Sequence, residues 1–167
     1  MSTIRQWNSA DSLHELTALL HDAYASLGAM GLNYTAVDQS AEVTAKRIAG
    51  CMCYVAELDG RLVGTATVRG HYQKSECAYY AMPGVAIVNQ IAVHPEAQGR
   101  GIGSALLSRC SSWARLKGYE RLALDTAVPA IHLVALYKRL GFEEVAHVQW
   151  PGKVYQSVVL SRQLSDA

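Results

Sequence analysis

The residues most able to do chemistry lie between Val85 and Leu107. An apolar, β-branched run, Val85 to Val93, ends at His94-Pro95 and reads as a strand. A short loop follows with glycines at 99, 101 and 103, and a helical pattern opens at Ile102. Strand, glycine loop and helix together make an anion site. Glycine lets backbone approach a phosphate, and a helix start offers unpaired N–H groups and a positive dipole end. A P-loop would need Lys after its glycines, and none follows. A dinucleotide fold would need its glycines directly after the strand, yet His94 to Gln98 intervene. Asp125 stands near the right distance for a ribose contact, but only 42 residues follow it, too few for the second half of such a fold. The plainer alternative is that the glycines only shape a tight turn.

A second group stands further along, in Leu136-Tyr137-Lys138-Arg139-Leu140-Gly141-Phe142. Taken alone, Tyr137 reads as an amphipathic aromatic near the end of a helix. The string Gln98-x-x-Gly101-x-Gly103 after Ile91-Ala92-Val93, followed by this second string, resembles the paired signatures of the GCN5-related N-acetyltransferase (GNAT) family. The resemblance covers residues 85 to 142 by motif and the rest by element order.

The resemblance implies acetyl-CoA as cosubstrate, with no metal. Ile91, Ala92 and Val93 would offer backbone groups to the pantetheine arm. Gln98, Gly99, Arg100, Gly101, Ile102, Gly103 and Ser104 would wrap the pyrophosphate. It also implies direct attack of a neutral amine on the thioester, with a backbone N–H of Ile91 or Val93 stabilising the oxyanion, a role worth about 3–4 kcal/mol. Tyr137 becomes the candidate acid. A phenol of pKa about 10 stays protonated at neutral pH and can protonate a leaving thiolate of pKa about 8–9.

The source of the base is open. A lysine-like amine is neutral only about one part in a thousand at pH 7, a handicap of roughly 4 kcal/mol. Many family members carry a carboxylate near Asn89, and an amide cannot take a proton. Water relayed by Asn89 or Gln90, or the side chains of His71, Glu76 or His94, are the candidates, and none is singled out. The family's asparagine seven residues before the tyrosine is Ala130 here. These departures keep a second reading in play, a non-catalytic acyl-CoA-binding or regulatory module.

The elements that must position these groups follow in order. Thr3 to Trp7 reads as a strand. Ser12-x-x-Glu15 is a capping box, and Leu13, Leu16, Leu20, Tyr24 and Leu27 make a helical stripe ended by Gly28. A second helix runs from near Ser40 to Ala49. Cys51 to Glu57 and Leu62 to Arg69 are strands joined by Asp59-Gly60, a tight-hairpin signal. Gly70 to Gly84 is a long connection. After the central strand come a helix over Ile102 to Lys117, a strand over Arg121 to Asp125, a helix over Ala130 to Leu140, and strands over Glu143 to Gln149 and Val154 to Leu160. That alternation is α/β with a mixed sheet in one domain, residues 1–167. The resemblance implies the same fold: a mostly antiparallel sheet with one splayed parallel strand pair, flanked by helices.

Half of the 167 residues are hydrophobic and the formal net charge is +1, which suits a globular fold and suggests neither nucleic acid nor membrane as a partner. Charge is locally uneven. From His94 to Arg121 stand Arg100, Arg109, Arg115, Lys117 and Arg121 against Glu96 and Glu120, a bias that suits a polyanionic cofactor or an ordinary basic helix face. The uncharged run from Cys77 to Pro95 is interrupted by Pro83, Gly84, Asn89 and Gln90 and is too short to span a bilayer. No signal peptide is expected, and the four cysteines lack metal-site spacing, so a cytoplasmic protein with reduced thiols is expected. Cys51 and Cys53 are expected together on one core face. The acceptor is a small amine or a protein amine, and a homodimer is plausible without a residue pattern to mark it.

Overall fold

The computed structural model describes residues 1–165. Seven strands form a mixed sheet: β1 (Thr3–Gln6), β2 (Met52–Leu58), β3 (Arg61–Arg69), β4 (Val85–Val93), β5 (Arg121–Ala127), β6 (Glu143–Val148) and β7 (Ser157–Gln163). Their order is β1-β2-β3-β4-β5-β7-β6. β1 with β2, β2 with β3, β5 with β7 and β6 with β7 are antiparallel. β4 runs parallel to β5 from Val85↔Arg121 to Ile87↔Ala123. The helices are α1 (Leu13–Ala29), α2 (Thr35–Asp38), α3 (Ala41–Ile48), α4 (Ile102–Leu116) and α5 (Ile131–Arg139). Single 3-10 turns occupy Ala78–Ala81 and Pro95–Ala97.

The chain divides into two units, and the division runs through β4 and α4. The first holds Met1–Val68 and Asn89–Cys110. Its core gathers Leu16, Leu19, Leu20, Ala36, Val55 and Ala92. Full burial of a Leu or Val side chain contributes about 1.5–3 kcal/mol each, so the α1 stripe is the main adhesive here. Ser12 caps α1 by accepting from the Glu15 N–H at 3.1 Å. The Glu15 carboxylate accepts from the Leu62 N–H at 3.1 Å and so ties the helix start to β3. Arg5 on β1 reaches both Asp11 and Glu57. Its hydrogen bond holds the Asp11 carboxyl below the usual carboxylate range. A depressed pKa contributes stability above the unfolded value that fades as pH falls through the folded one.

The second unit holds Arg69–Val88 and the chain from Ser111 on. Cys77, Tyr80, Val85, Ile87, Ala123, Val148 and Val159 form its core. Arg162 on β7 donates to the Leu140 carbonyl at 3.0 Å and to Ser111 Oγ at 2.7 Å, which fastens the end of α5 and a residue of α4.

Several boundaries differ from the sequence reading. α1 continues through Gly28 to Ala29, and the left-handed turn falls at Gly31. The short α2 carries no apolar period that could announce it. β7 starts at Ser157 rather than Val154. Gln149 Nε2 donates to the Lys153 and Tyr155 carbonyls, which holds that stretch as a loop and leaves Val154 exposed. Cys51 precedes β2 and is only half-buried, while Cys53 is fully in the core and burial pushes its thiol pKa up. Asp59 and Gly60 both take positive φ, as the hairpin signal requires.

Candidate active site

The glycine loop belongs to the first unit. β4 ends at Val93, and His94 Nδ1 then accepts from the Glu96 N–H at 3.2 Å to cap the following 3-10 turn. Gly99 and Gly101 hold φ of 77° and 76°, the left-handed region that glycine enters without cost. A Cβ built on either would meet nothing within 4 Å, so backbone there is bare to the surface. The first bond of α4 runs from the Ala105 N–H to the Gly101 carbonyl at 3.0 Å. The N–H groups of Ile102, Gly103 and Ser104 therefore have no acceptor inside the helix. An exposed loop of left-handed glycines opening into a helix start fits a pyrophosphate.

Packing aims that helix start. Gly64 on β3 has no side chain, and Ile102 Cγ2 and Leu106 Cδ1 lie 3.0 and 3.1 Å from where its Cβ would be. Ile102 and Leu106 are buried. Gln98 Nε2 makes a long contact of 3.4 Å to the Val93 carbonyl, and Arg100 is exposed.

Within β4, Gln90 carries φ of 51°. A left-handed residue other than glycine costs of order 1–3 kcal/mol and persists only where its surroundings hold it. This turn interrupts the strand just before Ile91, Ala92 and Val93. The Ile91 carbonyl accepts from the Tyr24 hydroxyl at 2.8 Å, and Tyr24 packs against Tyr34 with ring centroids 5.5 Å apart.

Tyr137 lies in the second unit, on α5, and is 8% exposed. The helix closes on Gly141, φ 90°. The Phe142 N–H bonds to the Tyr137 carbonyl at 3.0 Å and the Gly141 N–H to that of Lys138 at 3.0 Å, a Schellman motif. The apolar contact that accompanies this motif is the edge-on pair of Tyr137 and Phe142, 5.9 Å apart. Ala130, at the start of α5, makes no side-chain cap.

The same unit contains a group that the sequence reading did not assemble. Asp125 on β5 accepts from the Tyr80 hydroxyl at 2.6 Å and from Trp150 Nε1 at 2.9 Å. Tyr80 and Trp150 stack at 6.1 Å. Burial, then the charge of Asp125, pushes the Tyr80 phenol well above its ordinary value. In sequence Asp125 is the one acid in the run Leu122 to Ala127, but nothing local joins it to Tyr80 or Trp150.

The earlier base candidates fare unequally. His71 has a buried Nδ1 without a hydrogen-bond partner and faces Tyr119 at 6.2 Å. Glu76 is exposed. His94 spends Nδ1 on its cap and has Nε2 3.5 Å from Asp22. Asn89 is half-buried and Gln90 buried. No three His, Cys, Asp or Glu side chains among the described residues gather to hold a metal. No helix among them is long and apolar enough to cross a membrane.

Known proteins match this chain along most of its length. It is 29% identical over 157 residues, 93% of this chain and 90% of that protein, to S-(2-succino)cysteine N-acetyltransferase of Bacillus subtilis. It is 31% identical over 142 residues, 84% of this chain and 91% of that protein, to an aminoglycoside N(6')-acetyltransferase type 1 of Stenotrophomonas maltophilia. A crystal structure of a GNAT family acetyltransferase from Elizabethkingia anophelis with acetyl-CoA bound superposes with a TM-score of 0.68 at 19% identity, covering 98% of each chain, a likeness of fold. The sequence model of the Acetyltransferase (GNAT) family matches residues 13–142, so the chain belongs to that family, which takes its acetyl group from acetyl-CoA.

Proposed function

We propose that this N-acetyltransferase moves the acetyl group directly from acetyl-CoA to a small primary amine in a ternary complex. The observation that carries the donor half is the exposed left-handed pair Gly99 and Gly101 opening into α4. Gln98 to Ser104 hold the pyrophosphate, and Ile91, Ala92 and Val93 hold the pantetheine arm by backbone groups. The amine nitrogen attacks the thioester carbon. A backbone N–H of Ile91 or Val93 stabilises the oxyanion, the C–N bond forms and the C–S bond breaks. Tyr137 gives its proton to the departing thiolate, and the second proton, shed by the acylated nitrogen as the amide forms, returns to the phenol. Asp125 receives a proton from the incoming ammonium, because it is a carboxylate held in one orientation by two neutral donors.

The acceptor reading draws support from two relatives whose names specify small molecules, a modified cysteine and an aminoglycoside. The stacked faces of Tyr80 and Trp150 beside a carboxylate suit a cation. We propose a single domain, since β4 and α4 each contribute residues to both units.

The test pairs calorimetry of CoA with thiol release from acetyl-CoA over a panel of small amines, peptides and aminoglycosides. Binding with release on at least one small amine is expected. Binding with no release on any amine would return the chain to a non-catalytic acyl-CoA module.

A further inference from the structure

The left-handed turn in β4 is held from outside the strand. Gln90 is 5% exposed, and its Oε1 accepts from Gln39 Nε2 at 2.7 Å. Gln39 is equally buried and is itself fixed on three sides. Its Oε1 accepts from Arg47 at 2.9 Å, its Nε2 also donates to Thr44 Oγ1 at 2.7 Å, and its backbone carbonyl accepts from His21 Nε2 at 2.7 Å. Thr17 extends the chain of bonds by donating to Thr44 at 2.8 Å, so α1 and α3 both brace one residue at the end of α2. On the next residue of the strand, Tyr24 of α1 binds the Ile91 carbonyl.

We propose that the buried Gln39–Gln90 pair is a positioning element for acetyl transfer: it holds the turn at Gln90 and thereby aims the backbone of Ile91, Ala92 and Val93 at the acyl donor. The inference rests on the acetyl-transfer reading above. Core packing alone does not call for two buried amides here, since apolar side chains of similar length would fill the same volume without needing partners. What an apolar side chain cannot do is select a left-handed backbone at a strand position. A bonded network can, because Gln39, fixed by Arg47, Thr44 and His21, holds the Gln90 amide oxygen from outside the strand. Gln39 and Gln90 touch neither donor nor acceptor in this reading; they act through the strand.

The test compares two double variants that both remove the amide pair, so neither leaves a buried amide unpaired. Gln39→Leu/Gln90→Gly permits positive φ at position 90, whereas Gln39→Leu/Gln90→Leu opposes it. Melting temperatures check that both fold, and Gln90→Gly against Gln90→Ala repeats the contrast with less change in volume. The leucine double variant should bind CoA about tenfold more weakly than the glycine one and release thiol about a hundredfold more slowly. Amide hydrogen exchange at Ile91 to Val93 should be faster in it. Equal exchange together with affinities within twofold overturns the positioning role. Should the wild type bind CoA but acetylate no amine, the transfer reading fails, while the affinity and exchange contrasts still decide the inference. If the wild type does not bind CoA, exchange alone decides it.

Discussion

The Tyr80 hydroxyl donates to the Asp125 carboxylate at 2.6 Å. Trp150 holds the other oxygen at 2.9 Å. Both donors are neutral, so they orient the carboxylate without cancelling its charge. Burial keeps the Tyr80 phenol protonated far above the ordinary range, so it remains a donor wherever the enzyme would work. The result is an anchored acid at the polar edges of two stacked rings, an arrangement able to draw an ammonium and then take its proton.

If Asp125 takes that proton, Asp125→Asn should lower kcat/KM for the amine by about 10²–10⁴, the usual span for a positioned base. CoA affinity should stay within threefold, because the role proposed for Asp125 is toward the amine and not toward CoA. Near-normal turnover would leave the amine to lose its proton to solvent and make Asp125 an anchor for Tyr80 and Trp150.

Much of this was legible in the chain because local chemistry dictates it. The three glycines, the capping Ser12, the Asp59-Gly60 turn and the helical stripe of α1 each constrain backbone within a few residues. Asp125 was not legible as a site residue, because its partners Tyr80 and Trp150 stand 45 and 25 positions away in sequence. The family resemblance implies a bulge near the end of the central strand, but not that it falls at Gln90: nothing local marks a glutamine as left-handed, and the hold comes from Gln39, 51 residues earlier. Gly64 reads as a weak point inside a strand until Ile102 and Leu106 are seen resting on it. The start of β7 was misplaced because Val154 carries strand propensity that the loop bonds of Gln149 override.

The glycine loop makes a separate prediction. A Cβ at position 101 would meet no atom within 4 Å, so substitution there does not crowd the fold. It does strain a backbone at φ 76°, by about 1–2 kcal/mol for an ordinary residue. Gly101→Ala measures that strain alone. Gly101→Asp adds a negative charge beside the phosphates, and calorimetry should show CoA affinity at least tenfold below wild type and clearly below the alanine variant. Unchanged affinity in a folded aspartate variant would remove the loop from the donor site.

Tyr137 has a firm structural role whatever its chemistry, because its ring is the apolar partner of Phe142 in the turn that closes α5. Tyr137→Phe keeps that ring and removes only the hydroxyl, so the melting temperature should change little. If the hydroxyl protonates the leaving thiolate, turnover should fall by roughly 10²–10⁴. The loss should appear in kcat and kcat/KM alike, as expected for an interaction made only in the transition state. CoA affinity should remain within about threefold. A variant with near-normal kcat would show that water protonates the thiolate and that Tyr137 serves packing alone. A variant that turns over slowly and also binds CoA much more weakly would instead assign the hydroxyl to placing the cosubstrate's sulfur, which is why steady-state kinetics and calorimetry must be run on the same preparation.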